Sequence, residues 1–398
     1  MFKLVFGLAV LMVLSLSCKD NQYPESIWDP NEQSAPTPVV TSVLPQDSTY
    51  AGVGVVTITG ENFSPNAEEN IVYFSGVPGT ILEASAKELK VQTPVVISDS
   101  VVIKVAVQGA FLFAIYKGPY KLYPAVIDYG PFDNFTDVWA LEVDAEENLY
   151  VSVGPAVKAI WKVDTDQDTS VYVNTTFDKA SGMKFGPDGG IYYVNLLSYM
   201  FKVQPGGGSD ELFLAVGGGV RDLDFDNNGN IYTAGSGKKI FTVLPDKSYK
   251  ESADYGDYSL NSIRVYDRYV YVIAVNVLGE KKIYRNQILN TTGDLGPNEL
   301  VLDWNTYTGS DGSEPLALTF SSTGEMFIGS DREGEAMTKV DADGNMEPFF
   351  NTVLTPPINY FSWGNGNYLY ATNRTNEKLK IIRIDMGALT SAPYYGRP

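Results

Sequence analysis

From Phe135 to the C-terminus the chain repeats one phrase six times. A short apolar run ends in Val, Phe or Trp. A polar turn follows, and a second run of Ile, Leu, Tyr and Val closes the phrase. Segments 141–151, 183–193, 223–233, 263–272, 318–328 and 361–371 carry it. With Val143, Phe185, Phe225, Val265, Phe320 and Trp363 taken as equivalent, the first spacing is 185 − 143 = 42 residues and the others are 40, 40, 55 and 43. Self-similarity at such a period means stacked copies of one unit that cannot bury its apolar face alone. A four-stranded propeller blade takes roughly 40–50 residues.

Each copy supplies a third apolar run as well, such as Ile160–Val163, Met200–Val203 and Ile240–Val243, and a weaker fourth, such as 170–173 or 211–214. The runs are too short for helices and rich in residues that suit a pleated surface. The pattern predicts a six-bladed β-propeller over 125–398. The extra length of the fourth copy falls in the Gly/Asn/Thr-rich stretch 286–310, expected as a long surface loop. The phrase strand-Asp-x-x-Gly-Asn-Ile-Tyr, clearest over 221–232, resembles NHL-type repeats and the six-bladed family of gluconolactonases and strictosidine synthases.

The N-terminal third reads differently. Residues 55–63, Val-Val-Thr-Ile-Thr-Gly-Glu-Asn-Phe, alternate with period two and close on a turn. Val-Tyr-Phe-Ser-Gly at 72–76 and the run 100–107 follow. This order resembles the IPT/TIG immunoglobulin-like domain over 37–124, which implies a β-sandwich acting as a spacer or interaction module. Ahead of it, Lys3 and the apolar run Leu4–Leu16 end at Ser-Leu-Ser-Cys18. That start resembles a bacterial lipoprotein signal, with 1–17 removed and Cys18 acylated. It implies a lipid anchor in the outer membrane and a place on the cell surface. Lys19-Asp20 after the Cys resembles the export signal of Bacteroidetes surface lipoproteins. The polar, Pro-dotted stretch to residue 36 reads as a flexible tether. The expected fold is thus all-β: an Ig-like sandwich followed by a six-bladed propeller.

Composition narrows the chemistry. The chain has no His, and its one Cys is Cys18. Ser-His-Asp and Cys-His nucleophiles, imidazole bases and Cys/His zinc sites are therefore excluded. With 29 Lys and Arg against 48 Asp and Glu, the net charge is −19. Such a chain is repelled by phosphate backbones, so no nucleic acid is expected. Two Asp/Asn runs, 224–229 and 164–168, have a calcium-loop rhythm, but Gly235 and Thr175 stand where an EF-hand needs an acid. Turn chemistry accounts for the first, and a solvated loop or a cation remains open for the second.

In a propeller, the starts of the inner strands and the ends of the second strands meet around one mouth. Here those places hold Trp139, Arg221, Asp222, Asn261, Glu314, Asn359 and Tyr360, and then Asn195, Asn276, Asp331, Asn373 and Arg374. Amides, mixed charges and aromatics suit a sugar, with hydroxyls bridged by polar groups and rings stacked on aromatic faces. The expected ligand is an extracellular glycan or a surface protein complex, in an accessory role near outer-membrane glycan uptake, with no metal or cofactor. The alternative is a calcium-dependent lactonase, hydrolase or lyase-like enzyme. By the repeat alignment, that family's cation-ligand places fall on Phe135, Arg221 and Leu316, so most of its ligand set is absent.

Overall fold

The computed structural model describes residues 33–375 and 379–397. The expected signal segment, Cys18 and most of the expected tether lie outside the described residues. The N-terminal strands form two facing sheets. One runs Val39–Leu44, Val55–Glu61, Glu88–Gln92, Thr80–Ala84; the other runs Val77–Pro78, Asn70–Phe74, Ile103–Val107, Ala114–Ile115. The period-two pattern places Val56, Ile58, Val72, Phe74, Leu89, Val91, Ile103 and Val105 in one sandwich core.

Six four-stranded units follow. Their first strands are Asp137–Val143, Gly182–Phe185, Val220–Phe225, Ser259–Tyr266, Pro315–Phe320 and Tyr360–Trp363. Each packs on the next, and the last packs on the first, which closes a ring. The outer strand of the sixth blade comes from the other end of the repeat region: Val126–Asp128 pairs antiparallel with Leu379–Asp385.

The repeated phrase has a physical reason at each position. The aromatic that ends a first strand packs on the aromatic of the preceding blade's second strand. Phe185 meets Tyr150 at 5.2 Å, Phe225 meets Tyr192 at 5.3 Å, Phe320 meets Tyr271 at 4.7 Å and Trp363 meets Phe327 at 5.7 Å between ring centroids. Such pairs add about 0.5–1.5 kcal/mol beyond the area they bury. The turn Asp closes the hairpin. Asp226 accepts from the N–H groups of Asn228 (2.8 Å) and Asn230 (2.9 Å) and from the Tyr232 hydroxyl (3.1 Å), while Gly229 takes φ +78°. Asp144 and Asp164 accept from their own turns in the same way. Both Asp/Asn runs are therefore hairpin turns.

The stretch 286–310 departs from the expected loop. Glu299–Asp303 is the fourth strand of its blade, and Trp304–Thr308 is a short helix. Asp303 caps that helix by accepting from Thr306 N–H at 3.0 Å, and Trp304 is fully buried. The intervening residues fold under the third blade, where Thr291 O and Gly293 O accept from Asn230 and Thr242 at 3.0 and 3.1 Å. The strand was hidden because its side chains lie half in solvent and carry no strong apolar alternation.

Sandwich and propeller touch at Gly52. Its carbonyl accepts from Thr352 Oγ1 at 2.7 Å, and its φ is +79°. A Cβ there would fall 2.8 and 2.9 Å from the side chains of Val353 and Val95, so only glycine fits.

Candidate functional site

The mouth is built by β-bulges. The ladder between first and second strands slips between Val138 and Leu141, Val220 and Asp222, Leu260 and Ser262, and Pro315 and Ala317. A bulge frees a residue from pairing and re-aims its side chain. The freed residues Trp139, Ala140, Arg221, Asn261 and Leu316 all line one cleft of about 180 Å³. Ser181 and Asn359, each just before its blade's first strand, complete the circle with Glu314, Tyr360 and Arg374. The guanidinium of Arg374 stacks 3.7 Å from the Trp139 ring centroid, and its Nε donates to Asp137 at 3.0 Å. Asn359 Oδ1 accepts the Arg374 backbone N–H at 2.9 Å. Arg221 is exposed and donates to Asn261 Oδ1, a neutral partner that leaves its charge in place.

The remaining expected mouth residues stand apart from the cleft. Asp331 accepts the Glu314 backbone N–H at 2.6 Å and holds that segment. Asn195 sits next to the lining residue Leu196, with its Oδ1 buried and without a hydrogen-bond partner among the described residues. Asn276 caps its own exposed turn by accepting from Leu278 and Glu280 N–H at 3.0 and 2.9 Å. Asn373 is buried and donates to Thr355 O and Pro357 O at 2.7 and 2.9 Å. Asp222 lies beneath the floor, because the bulge turns Arg221 to the mouth and puts its neighbour into the channel.

Below the mouth the channel is filled by charge. Glu142, Lys184, Asp224, Arg264, Thr319 and Ser362, one from each blade, form a buried ring of alternating sign and then hydroxyls. Lys184 pairs with Glu142 at 3.1 Å, and Arg264 pairs with Asp224 at 2.9 Å. The C-terminal segment returns into this channel. Arg397 donates to Glu142 at 2.7 Å and to Trp363 O at 2.7 Å. The Tyr394 ring lies 3.7 Å from the Arg264 guanidinium, 4.5 Å from that of Arg397 and 5.3 Å from Lys184 Nζ. Sequence reasoning missed this network. Its signal was present: a polar residue stands immediately before each of the six equivalent apolar positions.

Asp222 joins mouth to channel. It accepts from Ser262 Oγ (3.1 Å), Ile263 N–H (3.1 Å), Leu223 N–H (2.9 Å) and the Tyr360 hydroxyl (3.2 Å). Burial lifts its pKa to about 6, against the pull of Lys184 and the two N–H groups. Burial also pushes Glu142 up, but Lys184 and Arg397 outweigh it and hold that carboxyl below its ordinary range. The two groups act oppositely on stability. Asp222's raised pKa gives a contribution that is full below about 3.8 and lost as pH rises through about 6. Glu142's lowered pKa gives one that is present above about 4.5 and lost as pH falls through its folded value. The melting temperature should therefore rise as pH falls from neutral to about 5 and drop in stronger acid, and Asp222→Asn should remove the rise, on the order of 1–3 kcal/mol. Calorimetric scans of both proteins across this range check it. A rise of equal size in Asp222→Asn would assign it to other carboxylates.

A calcium site of the kind expected for a lactonase finds no matching donor set among the described residues. Arg221 and Leu316 occupy two of the bulge positions, and Phe135 projects into solvent outside its strand. The channel carboxylates are engaged by cations and N–H donors. Among the described residues no three acidic or Cys side chains gather as a metal site.

Residues 38–122 match the IPT/TIG domain family. No curated protein matches the chain. Among solved structures, an auxiliary nutrient binding protein from Bacteroides thetaiotaomicron VPI-5482 is 14% identical, with 90% of this chain and 99% of that chain covered and a TM-score of 0.53. Another, from Bacteroides ovatus ATCC 8483, is 14% identical, covering 87% and 98%, with a TM-score of 0.50. A luciferin-regenerating enzyme is 13% identical, covering 68% and 96%, with a TM-score of 0.53. At these identities the likeness establishes the fold: a sandwich followed by a propeller.

Proposed function

We propose that this chain is a surface lipoprotein, held in the outer membrane through Cys18, whose propeller mouth binds an extracellular glycan. The observation that carries the reading is the circle of bulged residues around a cleft whose floor is closed by the buried charge ring. The cleft admits a ligand from one side only. Its lining combines Arg221, Glu314 and the amides of Asn261 and Asn359, groups that bridge hydroxyls, with Trp139, whose ring carries the stacked Arg374 guanidinium. The resemblance to nutrient binding proteins agrees in fold and adds the idea of an accessory uptake role. A surface protein complex is the other partner such a face could serve.

The test is calorimetry on the purified chain with oligosaccharides from outer-membrane and host glycans. Binding should be detected without turnover. Arg221→Ala should weaken it by on the order of 1–3 kcal/mol, the worth of a charge-assisted hydrogen bond, with the melting temperature unchanged because the side chain is exposed. Trp139→Ala should weaken it as well. Micromolar calcium binding with lactone or ester turnover would sink this reading and favour the enzyme.

A further inference from the structure

We propose that the loop 109–113 of the sandwich is a bilayer-contact element, seated in the headgroup region of the membrane. Phe111, Leu112 and Phe113 are 59, 65 and 50% exposed in succession, although each is a residue that folding normally buries. The sheet beside them continues the patch. Ile71 and Ile115 project from its outer face, and Lys104 lies between Tyr73 and Ile115 in register.

Three observations select a membrane as the occupant. The first is where the chain comes in. Ser34 Oγ accepts the Phe111 N–H at 2.9 Å, and Ala35 N–H donates to Gly109 O at 2.8 Å. The residues before 34 therefore reach the sandwich at this loop, and Cys18 is only 34 − 18 = 16 residues away. That length of chain spans at most roughly 55 Å, which bounds the distance between the loop and an acylated Cys18.

The second is charge. Residues 101–127 contain no Asp or Glu and three lysines, Lys104, Lys117 and Lys121, in a chain whose net charge is −19. Lys121 is paired with Asp99, and Glu69, whose backbone meets Gln108, turns its carboxylate to Ser64 at 2.7 Å. Of the three, Lys104 stands beside the loop, whereas Lys121 lies near Tyr123, whose carbonyl accepts from Ala51 N–H next to the propeller contact at Gly52. With exposed Glu68 adjoining Glu69, the charge around the loop is small beside the −19 of the whole chain, so anionic lipid repels this face less than the rest.

The third is the arrangement. Lys104 Nζ stands 4.9 Å from the Phe113 ring centroid. Aromatic and Leu side chains ahead of a lysine form the interfacial pattern, with rings at the acyl boundary and ammonium groups at phosphate level. Among the described residues no helix is long and apolar enough to cross a membrane. The proposal shares with the functional reading only the expected place at a bilayer. It makes no use of the mouth.

The experiment uses the chain from residue 19 onward, which holds every described residue and no Cys. Flotation with vesicles of phosphatidylethanolamine and phosphatidylglycerol should carry part of it upward. The triple substitution Phe111→Ser, Leu112→Ser, Phe113→Ser should lower that partition on the order of tenfold or more, with an unchanged melting temperature. A dye on Leu112→Cys should shift to the blue and be quenched by a lipid-borne quencher. The same dye on Leu278→Cys, an exposed propeller turn, should stay aqueous. The proposal fails if the parent does not float, if the triple variant floats equally, if the dye at 112 remains in water, or if the loop instead joins two copies in the absence of vesicles. None of these outcomes touches glycan binding, which calorimetry reads separately.

Discussion

Replacing Glu142 by Ala should cost roughly 3–5 kcal/mol of folding stability, the range expected when one partner of a buried charge pair is removed. Glu142 is the shared counter-ion of Lys184 and Arg397, and the side-chain exposures are 1, 6 and 5%. Deleting it leaves two cations in a channel from which water is largely excluded. Lys184 still has the Tyr360 hydroxyl at 3.0 Å, and Arg397 still has Trp363 O, but neither neutralises charge. Glu142→Gln should fall between, since the amide keeps an acceptor and loses the charge. Replacing Glu142, Lys184 and Arg397 together by Leu and Met should recover much of the loss, because buried ion networks often exchange for apolar packing at little cost. Urea melts of the four proteins decide it. A loss below about 1 kcal/mol for Glu142→Ala would mean the pair behaves as a surface bridge.

The same ring shows how far the sequence could be read. The six equivalent positions Val143, Phe185, Phe225, Val265, Phe320 and Trp363 are all buried, so the repeat located every first strand. The residues just before them alternate with the core and look like a solvent face to any period-two pattern. In a propeller that second face lines the channel. Glu142, Lys184, Asp224 and Arg264 were visible as repeats of a polar position, but pairing between blades depends on ring closure that no spacing encodes. The mouth divides in the same way. Trp139, Arg221, Asn261, Glu314, Asn359, Tyr360 and Arg374 gather in the cleft, because starts of first strands converge in any ring of blades. Asp222 was misplaced because a bulge shifts the alternation by one residue, and nothing in Val-Arg-Asp-Leu announces it. The C-terminal segment has no periodicity at all. Its return into the channel rests on Tyr394 and Arg397 finding partners from several blades.

The strand Val126–Asp128 was equally out of reach of local reading, and its removal carries the second large expected effect. A fragment beginning at Ala125 should unfold in one cooperative step, whereas one beginning at Gly130 should lose several kcal/mol of the roughly 5–15 kcal/mol that holds a domain of this kind together. Residues 126–128 pair with Ile384, Arg383 and Ile382, and the ladder extends through Asp385 N–H to Ala125 O and Tyr129 N–H to Ile381 O at 2.8 and 2.9 Å. Without them the strand Leu379–Asp385 becomes a bare edge, and bare edges invite association with other chains. Tyr129 would go as well, with its ring 5.1 Å from that of buried Tyr370. The strand also ties the start of the repeat region to its last blade. Cutting it leaves the seam to the packing of Asp137–Val143 on Tyr360–Trp363 and to side-chain contacts such as Arg374 with Asp137, Thr372 with Trp139 O and Arg397 with Glu142, with no strand pairing across it. Urea melts and size-exclusion chromatography should show the shorter fragment destabilised and associating. Hydrogen exchange should show protection lost first in Leu379–Asp385 and then in the blades on either side of the seam. If both fragments melt alike as monomers, the inner strands alone close the ring, and the strand from the N-terminal side is an ornament of the sixth blade.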